Sequence, residues 1–236
     1  MNAVRLLDLG LVEYADAWAL QRRIHAERAS DACADTLIVC EHPPVITMGK
    51  SGRRANLLVS AAELERHGVE YFEVERGGDL TFHGPGQLIG YPIFKLARLR
   101  EVQGFVRKME ESIIRTLAAL GVQAERRVDH PGVFVRDAKI ASIGAAVRRG
   151  VTFHGFALDV FTDPYFYRLI NPCGMPGVAI TTLSAQVGRT PSLDEVKVPM
   201  RRALQDVFQI ELCAGDDAGL PAVRTNVLSV QAAVLA

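Results

Sequence analysis

Apolar and polar positions along the chain follow two periods, one typical of amphipathic helices and one of strands. Helical spacing predicts helices over Tyr14 to Arg28, over Phe105 to Leu120, and from Thr190-Pro191-Ser192 through Phe208, with Pro191 in the first turn. Ser60 followed by Glu63 has the spacing of a capping box and predicts a further helix that ends near His67-Gly68. Runs typical of strands are Val4 to Val12, Thr36 to Glu41, Val45 to Gly49, Val69 to Glu75, Gly132 to Val135, Lys139 to Arg148 and Val151 to Val160.

The order of these elements predicts an α+β fold. The last three strands follow one another closely, which is typical of an antiparallel meander, and helices do not alternate regularly with strands. We therefore expect mixed, mostly antiparallel sheets flanked by helices. A length of 236 residues suits one domain over residues 1–236, with a C-terminal tail after about residue 214.

Charge and composition exclude several classes of protein. Lysines plus arginines number 27 and acidic residues 27, so there is no net charge to attract nucleic acid. No apolar stretch reaches the roughly 18 residues of a membrane span, and acidic residues interrupt the N-terminal thirty, so we expect a cytoplasmic protein. The chain has no CxxC pair, which argues against a disulfide scaffold or a zinc site. Its cysteines are Cys33, Cys40, Cys173 and Cys213.

The segment Arg76 to Gln87, RGGDLTFHGPGQ, is predicted to be a long polar loop between two strands. Its glycines would let the backbone approach a ligand, and Arg76 is suited to a carboxylate, a phosphate or an acyl carbonyl oxygen. The alternative is an ordinary hairpin loop in which His83 only makes local hydrogen bonds. The spacing matches neither a P-loop nor a dinucleotide-binding turn.

Two predicted strands carry single titratable residues. Lys139 begins the segment KIASIG, where burial would disfavour its charged form and make it a proton acceptor. The alternative is a lysine on an edge strand that faces water. His154 precedes Gly155 in HGFALD, and a lone histidine of this kind is more often structural than catalytic.

Cys173 lies between Pro172 and Gly174, on a predicted tight turn, whereas the other three cysteines have apolar neighbours typical of a core. A thiol on a rigid turn is placed for nucleophilic attack if a base or a cation lies beside it. The candidates for that neighbour are His83, His154 and Lys139.

Taken together, these segments resemble the lipoate-biosynthesis octanoyltransferases, which move an octanoyl group from acyl carrier protein to a lysine of a lipoyl domain. The resemblance covers about residues 5 to 210. It rests on five segments in the family's order: HPPVITMGK from His42, RGGDLTFHGPGQLIGYP from Arg76, KIASIG from Lys139, HGFALD from His154 and NPCG from Asn171. One departure is Asp159, where members of the family usually have asparagine.

The resemblance implies a fold like the catalytic domain of biotin and lipoate protein ligases. It implies that Cys173 carries the acyl group as a thioester and that Lys139 is the acid/base partner. Backbone amides of residues 142–144 or of the 173–174 turn are candidate oxyanion donors. The implied substrate-binding residues are Arg76, Gly77, Gly78, Asp79, Leu80, Thr81, Phe82, His83, Ser142, Ile143, Gly144, Gly155, Phe156 and Ala157.

The resemblance also implies the partners. The donor is octanoyl-acyl carrier protein, and the acceptors are lipoyl domains of 2-oxoacid dehydrogenases and the glycine cleavage H protein, with neither nucleic acid nor membrane involved. Because the donor is already a thioester, no ATP, metal or redox cofactor is required. The alternatives are an ATP-dependent lipoate or biotin ligase, a non-catalytic acyl-carrier-binding relative, and a papain-type cysteine hydrolase that pairs Cys173 with His83 or His154.

Overall fold

The structure is a computed structural model that describes residues 2–98, 101–128, 130–174 and 177–215. The predicted tail lies outside the described residues from position 216 onward. The helices are α1 (Tyr14–Ala29), α2 (Ala61–Arg66), α3 (Val102–Ala119), α4 (Leu183–Val187) and α5 (Leu193–Phe208). The strands are β1 (Asn2–Leu11), β2 (Thr36–Glu41), β3 (Val45–Met48), β4 (Glu70–Glu73), β5 (Leu80–His83), β6 (Gln87–Ile93), β7 (Glu125–Arg126), β8 (Gly132–Val135), β9 (Ala138–Arg148), β10 (Val151–Asp159), β11 (Ala179–Ile180) and β12 (Ile210–Ala214).

The strands form a large and a small sheet. The large sheet has the order β12-β1-β2-β6-β10-β9-β8-β7, and β11 pairs with β9 off this path. The small sheet has the order β4-β3-β5. β1 runs parallel to both of its neighbours, while the stretch from β2 through β6, β10, β9, β8 and β7 is antiparallel. The mixed α+β architecture predicted from the sequence is therefore confirmed, including the meander of β8, β9 and β10.

Helices cover the large sheet on opposite faces because its central strands are apolar on both. On one face α3 and α5 pack through residues such as Met109 and Met200 against Leu88 and Phe156. On the other face α1 packs against β2 and β6. Every residue of β6 and of β10 is buried, so these two strands form the centre of the domain.

The small sheet has its own core with α2 and with the 3-10 turn over Pro164–Leu169. The predicted capping box at the start of α2 is present, since the Ser60 hydroxyl accepts from the Glu63 backbone and the Glu63 carboxylate accepts from the Ser60 backbone. Tyr14, at the start of α1, packs with Val45 and Val74 and so joins the small sheet to the helix.

Three local predictions were wrong. Cys213, predicted to have the surroundings of a core residue, is exposed on β12. The segment Arg76 to Gln87 is not a continuous loop, because its middle forms the fully buried strand β5. Helix α5 begins at Leu193 with Ser192 as its N-cap, so Pro191 precedes the helix and does not lie in its first turn. Within the described ranges, no helix has the length and apolar character to cross a membrane.

Candidate active site

Two adjoining clefts lie where the large sheet meets the small sheet. We call them the lysine cleft and the histidine cleft, and they share Gly78, Ile143 and Gly144. The lysine cleft has a volume of about 240 Å³ and is lined by Gly77, Gly78, Asp79, Val106, His130, Pro131, Lys139, Ile143, Gly144 and Ala145. The histidine cleft, of about 40 Å³, is lined by Tyr14, Arg76, Gly78, Thr81, His83, Tyr91, Ser142, Ile143, Gly144, His154, Gly155, Phe156 and Ala157.

Most of the predicted substrate-binding residues line one of these clefts, and the alternation of β5 explains the two that do not. Thr81 and His83 point to the histidine cleft. Leu80 and Phe82 point the opposite way, into the core of the small sheet, where the Phe82 ring stacks on Phe166 at 4.7 Å. Leu80 and Phe82 therefore pack in the core of the small sheet and hold β5 in place.

Lys139 is a buried lysine, with 1% of its surface exposed, near the start of β9. Its Nζ lies 5.9 Å from the centre of the Phe134 ring, and its backbone oxygen accepts from Thr181 N–H at 2.9 Å. Space for its side chain comes from Gly132, since a Cβ at that position would lie 2.7 Å from Lys139 Cε. The alternative of a water-facing lysine on an edge strand is excluded by this burial.

The turn that carries Cys173 is a short 3-10 segment, Pro172–Gly174. Gly174 has φ +64°, and its N–H donates to the Asn171 carbonyl oxygen at 3.1 Å. This amide is therefore engaged within its own turn, which removes it from the candidate oxyanion donors in this conformation. Residues 142–144, the other candidates, lie inside strand β9.

The Cys173 turn borders the lysine cleft through Asp79. A Cβ at Gly174 would lie 2.9 Å from Asp79 Oδ2, and Asp79 lines the cleft together with Lys139. The cysteine turn, which is far from Lys139 in the sequence, thus lies against a residue that lines the lysine cleft.

Arg76 fastens the RGG segment to the small sheet. Its buried guanidinium donates to Thr47 Oγ1 at 3.1 Å, to the Thr47 carbonyl oxygen at 2.6 Å and to the Asp79 carbonyl oxygen at 2.6 Å. The next residue, Gly77, donates its N–H to the Ala145 carbonyl oxygen at 3.0 Å and so ties the segment to β9. These contacts give Arg76 a structural role, and its predicted contact with a ligand stays a prediction.

The buried histidines of the site are neutral near pH 7, because burial favours the uncharged ring. Burial lowers the pKa of His83 to about 3, and its Nδ1 lies 2.8 Å from Gln87 Oε1. Burial also lowers the pKa of His154 to about 4. Among the described residues, His154 Nε2 has no hydrogen-bond partner, and Glu75 Oε2 lies 3.7 Å away.

The backbone of His154 is held in an uncommon conformation. Its φ is +55°, a value that non-glycine residues rarely adopt, and its N–H donates to Gln21 Oε1 of α1 at 2.9 Å. Such local strain is often found at functional sites, where surrounding contacts maintain it.

His83 is hydrogen-bonded to a buried polar network formed by Gln87, Asp159 and Tyr167. Gln87 Nε2 donates to Asp159 Oδ1 at 2.9 Å, and the Tyr167 hydroxyl donates to the same carboxylate at 3.0 Å. Burial raises the pKa of Asp159 to about 6, although these hydrogen bonds and the charge of Lys139 oppose the change. The carboxylate that departs from the family pattern is therefore accommodated by donors on β6 and on the 3-10 turn.

The sequence analysis did not predict several neighbours of the site. Tyr14 and Tyr91 complete the wall of the histidine cleft, and His130 lies in the lysine cleft. Asn56 donates a short hydrogen bond to Asp79 Oδ2. Only Tyr91 lies inside a segment quoted for the resemblance. Within the described residues, no group of three or more His, Cys, Asp or Glu side chains could hold a metal ion.

Solved structures share the fold. The putative lipoate protein ligase Ta0514 of T. acidophilum with bound lipoic acid superposes with a TM-score of 0.72 at 18% identity, over 91% of this chain and 89% of that one. A lipoate-protein ligase A bound with ATP gives 0.71 at 16% identity, over 91% and 88%. Biotin protein ligase from Aquifex aeolicus with biotin and ATP gives 0.52 at 11% identity, over 89% and 71%.

Sequence comparisons identify the family of the chain. The family model of the lipoyl protein ligase A/B catalytic domain matches residues 13–205. An octanoyltransferase of Solibacter usitatus is 43% identical over 211 residues, which are 89% of this chain and 95% of that protein. An octanoyltransferase of Dictyoglomus thermophilum is 44% identical over 186 residues, 79% of each chain. The chain therefore belongs to the lipoyl protein ligase A/B catalytic domain family and, within it, to the octanoyltransferases.

Proposed function

We propose that this enzyme transfers an octanoyl group from octanoyl-acyl carrier protein to a lysine of a lipoyl domain, through a thioester on Cys173. The observation that carries the proposal is the position of Lys139, which is buried in a cleft whose wall, Asp79, lies against the Cys173 turn. A nucleophile on a turn that borders a cleft holding a buried amine is an arrangement suited to covalent acyl transfer.

In the first step the Cys173 thiolate attacks the carbonyl carbon of the carrier thioester. Lys139 holds the proton that the Cys173 thiol gives up. Collapse of the tetrahedral intermediate breaks the carrier's carbon–sulfur bond, and the carrier leaves as a thiol when Lys139 returns the proton. The products are octanoyl-Cys173 and free carrier.

In the second step the amine of an acceptor lysine attacks the octanoyl-Cys173 carbonyl. The amine loses a proton to Lys139 as the amide bond forms, and the Cys173 sulfur leaves as a thiolate. Because both steps exchange one acyl bond for another, the balance closes without ATP. The neutral histidines line the neighbouring cleft and contribute its shape and polarity.

The histidine cleft supplies a surface for the acyl chain. Phe156 and the small residues Gly155 and Ala157 come from β10, and Ser142 lies opposite Ala157 on β9. The acceptors are lipoyl domains, including those of 2-oxoacid dehydrogenases and the glycine cleavage H protein, and the reaction takes place in the cytoplasm, as the sequence leads us to expect.

The test is transfer in the absence of ATP. The full chain is incubated with octanoyl-acyl carrier protein and an apo lipoyl domain, and the mass of the lipoyl domain is measured. We expect addition of one octanoyl group by the wild type, and loss of transfer in Cys173→Ser and Lys139→Ala. Transfer only from free octanoate with ATP would instead identify a ligase, and release of free octanoate would identify a hydrolase.

A further inference from the structure

Residues 56–58, which precede α2, pair with residues 169–171, which lead into the Cys173 turn. Leu58 N–H donates to the Leu169 carbonyl oxygen at 2.9 Å, and Asn171 N–H donates to the Asn56 carbonyl oxygen at 2.8 Å. Leu57 and Ile170 form an antiparallel bridge between these two bonds. Asn56 therefore lies directly beside the start of the Asn171–Gly174 segment.

The side chain of Asn56 connects this pairing to Asp79. Its Nδ2 donates to Asp79 Oδ2, and its Oδ1 accepts from Asn171 Nδ2 at 3.4 Å. The other carboxylate oxygen, Asp79 Oδ1, accepts from the N–H groups of Arg53 at 3.0 Å and of Leu80 at 2.8 Å. Asp79 is buried, so the bond from Leu80 is made away from water, while the bonds that involve Arg53, Asn56 and Asn171 are only partly shielded from it.

The polarity of the pair is fixed by its surroundings. Asp79 Oδ1 faces two N–H donors and must accept from both. The Asp79 carboxylate can only accept, so Asn56 presents its nitrogen to Asp79 and leaves its oxygen for Asn171 Nδ2. Replacing Asn56 by aspartate sets two acceptors against each other, and replacing Asp79 by asparagine removes the acceptor that orients the Asn56 amide.

We infer that Asn56 and Asp79 form a brace that sets the position of the Cys173 turn relative to Lys139, and that Asn56 is a positioning residue for acyl transfer. The inference rests on the proposed role of Cys173. Asp79 Oδ2 lies against Gly174 and Asp79 also lines the cleft of Lys139, so the carboxylate spaces the two groups. The brace acts by geometry, since neither Asn56 nor Asp79 exchanges a proton with the substrate.

The experiment exchanges the polarity of the pair. Asn56→Asp sets two carboxylates against each other, and Asp79→Asn replaces the carboxylate oxygen that accepts from Asn56 with an amide N–H. In the double variant Asn56→Asp/Asp79→Asn, the new asparagine donates to the new aspartate, whose second oxygen still accepts from Asn171. We expect each single variant to slow formation of octanoyl-Cys173 by about tenfold or more, and the double variant to recover to within about threefold of the wild type.

The readouts separate positioning from folding and from carrier binding. Acylation is followed by intact mass over a range of carrier concentrations, and we expect the maximal rate to fall while the concentration at half-maximal rate is unchanged. Ser60→Ala is the stability control, because it removes the N-cap of the neighbouring α2 without touching the brace. It should lower the melting temperature and leave the acylation rate at the wild-type value.

A second arm of the experiment measures the reactivity of Cys173 without an octanoyl substrate. The rate of alkylation of Cys173 by iodoacetamide is measured by peptide mapping, with exposed Cys213 as the internal reference. We expect both single variants to slow alkylation of Cys173 alone and the double variant to restore it. If the wild type forms no octanoyl adduct, the proposed function fails while this arm still tests the brace. Single variants that react at wild-type rates, or a folded double variant with no recovery, would overturn the inference.

Discussion

Replacing Gly174 by alanine tests how tightly the Cys173 turn is held. Gly174 has φ +64°, and an added Cβ would lie 2.9 Å from Asp79 Oδ2 and 3.5 Å from Asn56 Nδ2. Gly177 provides a matched control, because it also has a positive φ, of +76°, but an added Cβ there would meet no atom of the described residues within 4 Å. The two variants share the backbone strain and differ in the contact.

The expected losses of stability follow from the backbone strain and from the contact with Asp79. A left-handed conformation costs a non-glycine residue about 1–2 kcal/mol, so Gly177→Ala should lower the free energy of unfolding by that amount. In Gly174→Ala the carboxylate of Asp79 must also move away from its donors. A hydrogen bond to a charged group contributes about 1.5–3 kcal/mol, so weakening one raises the total loss to about 3–5 kcal/mol.

The assay is urea unfolding of both variants, combined with the rate of octanoyl-Cys173 formation. We expect Gly174→Ala to lower the maximal acylation rate by about tenfold to a hundredfold, since small displacements of a reacting group have effects of this size. Gly177→Ala should lose less than about threefold by the same reasoning. Equal losses of stability in the two variants would refute the argument, because they would mean that Asp79 does not confine the turn.

Three further predictions concern the large sheet and the buried titratable groups. In Gly155→Ala the new Cβ would lie 2.7 Å from Pro92 Cδ and closer still to the Gly90 carbonyl oxygen, so we expect the free energy of unfolding in urea to fall by about 3 kcal/mol or more. Gly104→Ala on α3, where an added Cβ meets no described atom within 4 Å, should raise it by about 0.5–1 kcal/mol. A mild loss at Gly155 would contradict the close strand contact. The pKa of Asp159 rises from 3.8 to about 6 on folding, so the native state binds this proton more tightly and the protein loses stability as the pH rises from 4 to 7. Asp159→Asn should remove about 3 kcal/mol of that loss. Parallel plots of unfolding free energy against pH for the two proteins would contradict this prediction. The pKa of His42 shifts in the opposite direction on folding, from 6.5 to about 4, so the protein loses stability as the pH falls through this range. His42→Gln should remove about 3 kcal/mol of this acid-side loss from the plot of unfolding free energy against pH.

Elements specified by local chemistry were predicted well. The capping box of Ser60 and Glu63 is present as predicted, and the apolar run of β2 has the predicted bounds. Strand β5 was missed because glycines flank it, which made a buried four-residue strand resemble the middle of a loop. Strand β12 was missed because its place is set by parallel pairing with β1 at the opposite end of the chain.

In the site, too, local motifs predicted individual residues, whereas contacts between distant parts of the chain could not be predicted. Lys139 and the turn of Cys173 could be named from their segments, but their approach to one cleft depends on β9, on the small sheet and on the pairing of Asn56 with Asn171. Asn56 lies in a short 3-10 turn with no motif around it. Its importance follows from hydrogen-bond partners 23 and 115 residues away, which no sequence pattern specifies.

Covalent capture of the acyl group is the central claim, and intact mass spectrometry tests it most directly. The full chain is incubated with octanoyl-acyl carrier protein alone, without acceptor or ATP, and peptide mapping locates any modification. We predict one octanoyl group on Cys173 in the wild type, no adduct in Cys173→Ser, and greatly slowed formation in Lys139→Ala. Full turnover to a lipoyl domain with no adduct on Cys173 would contradict the account.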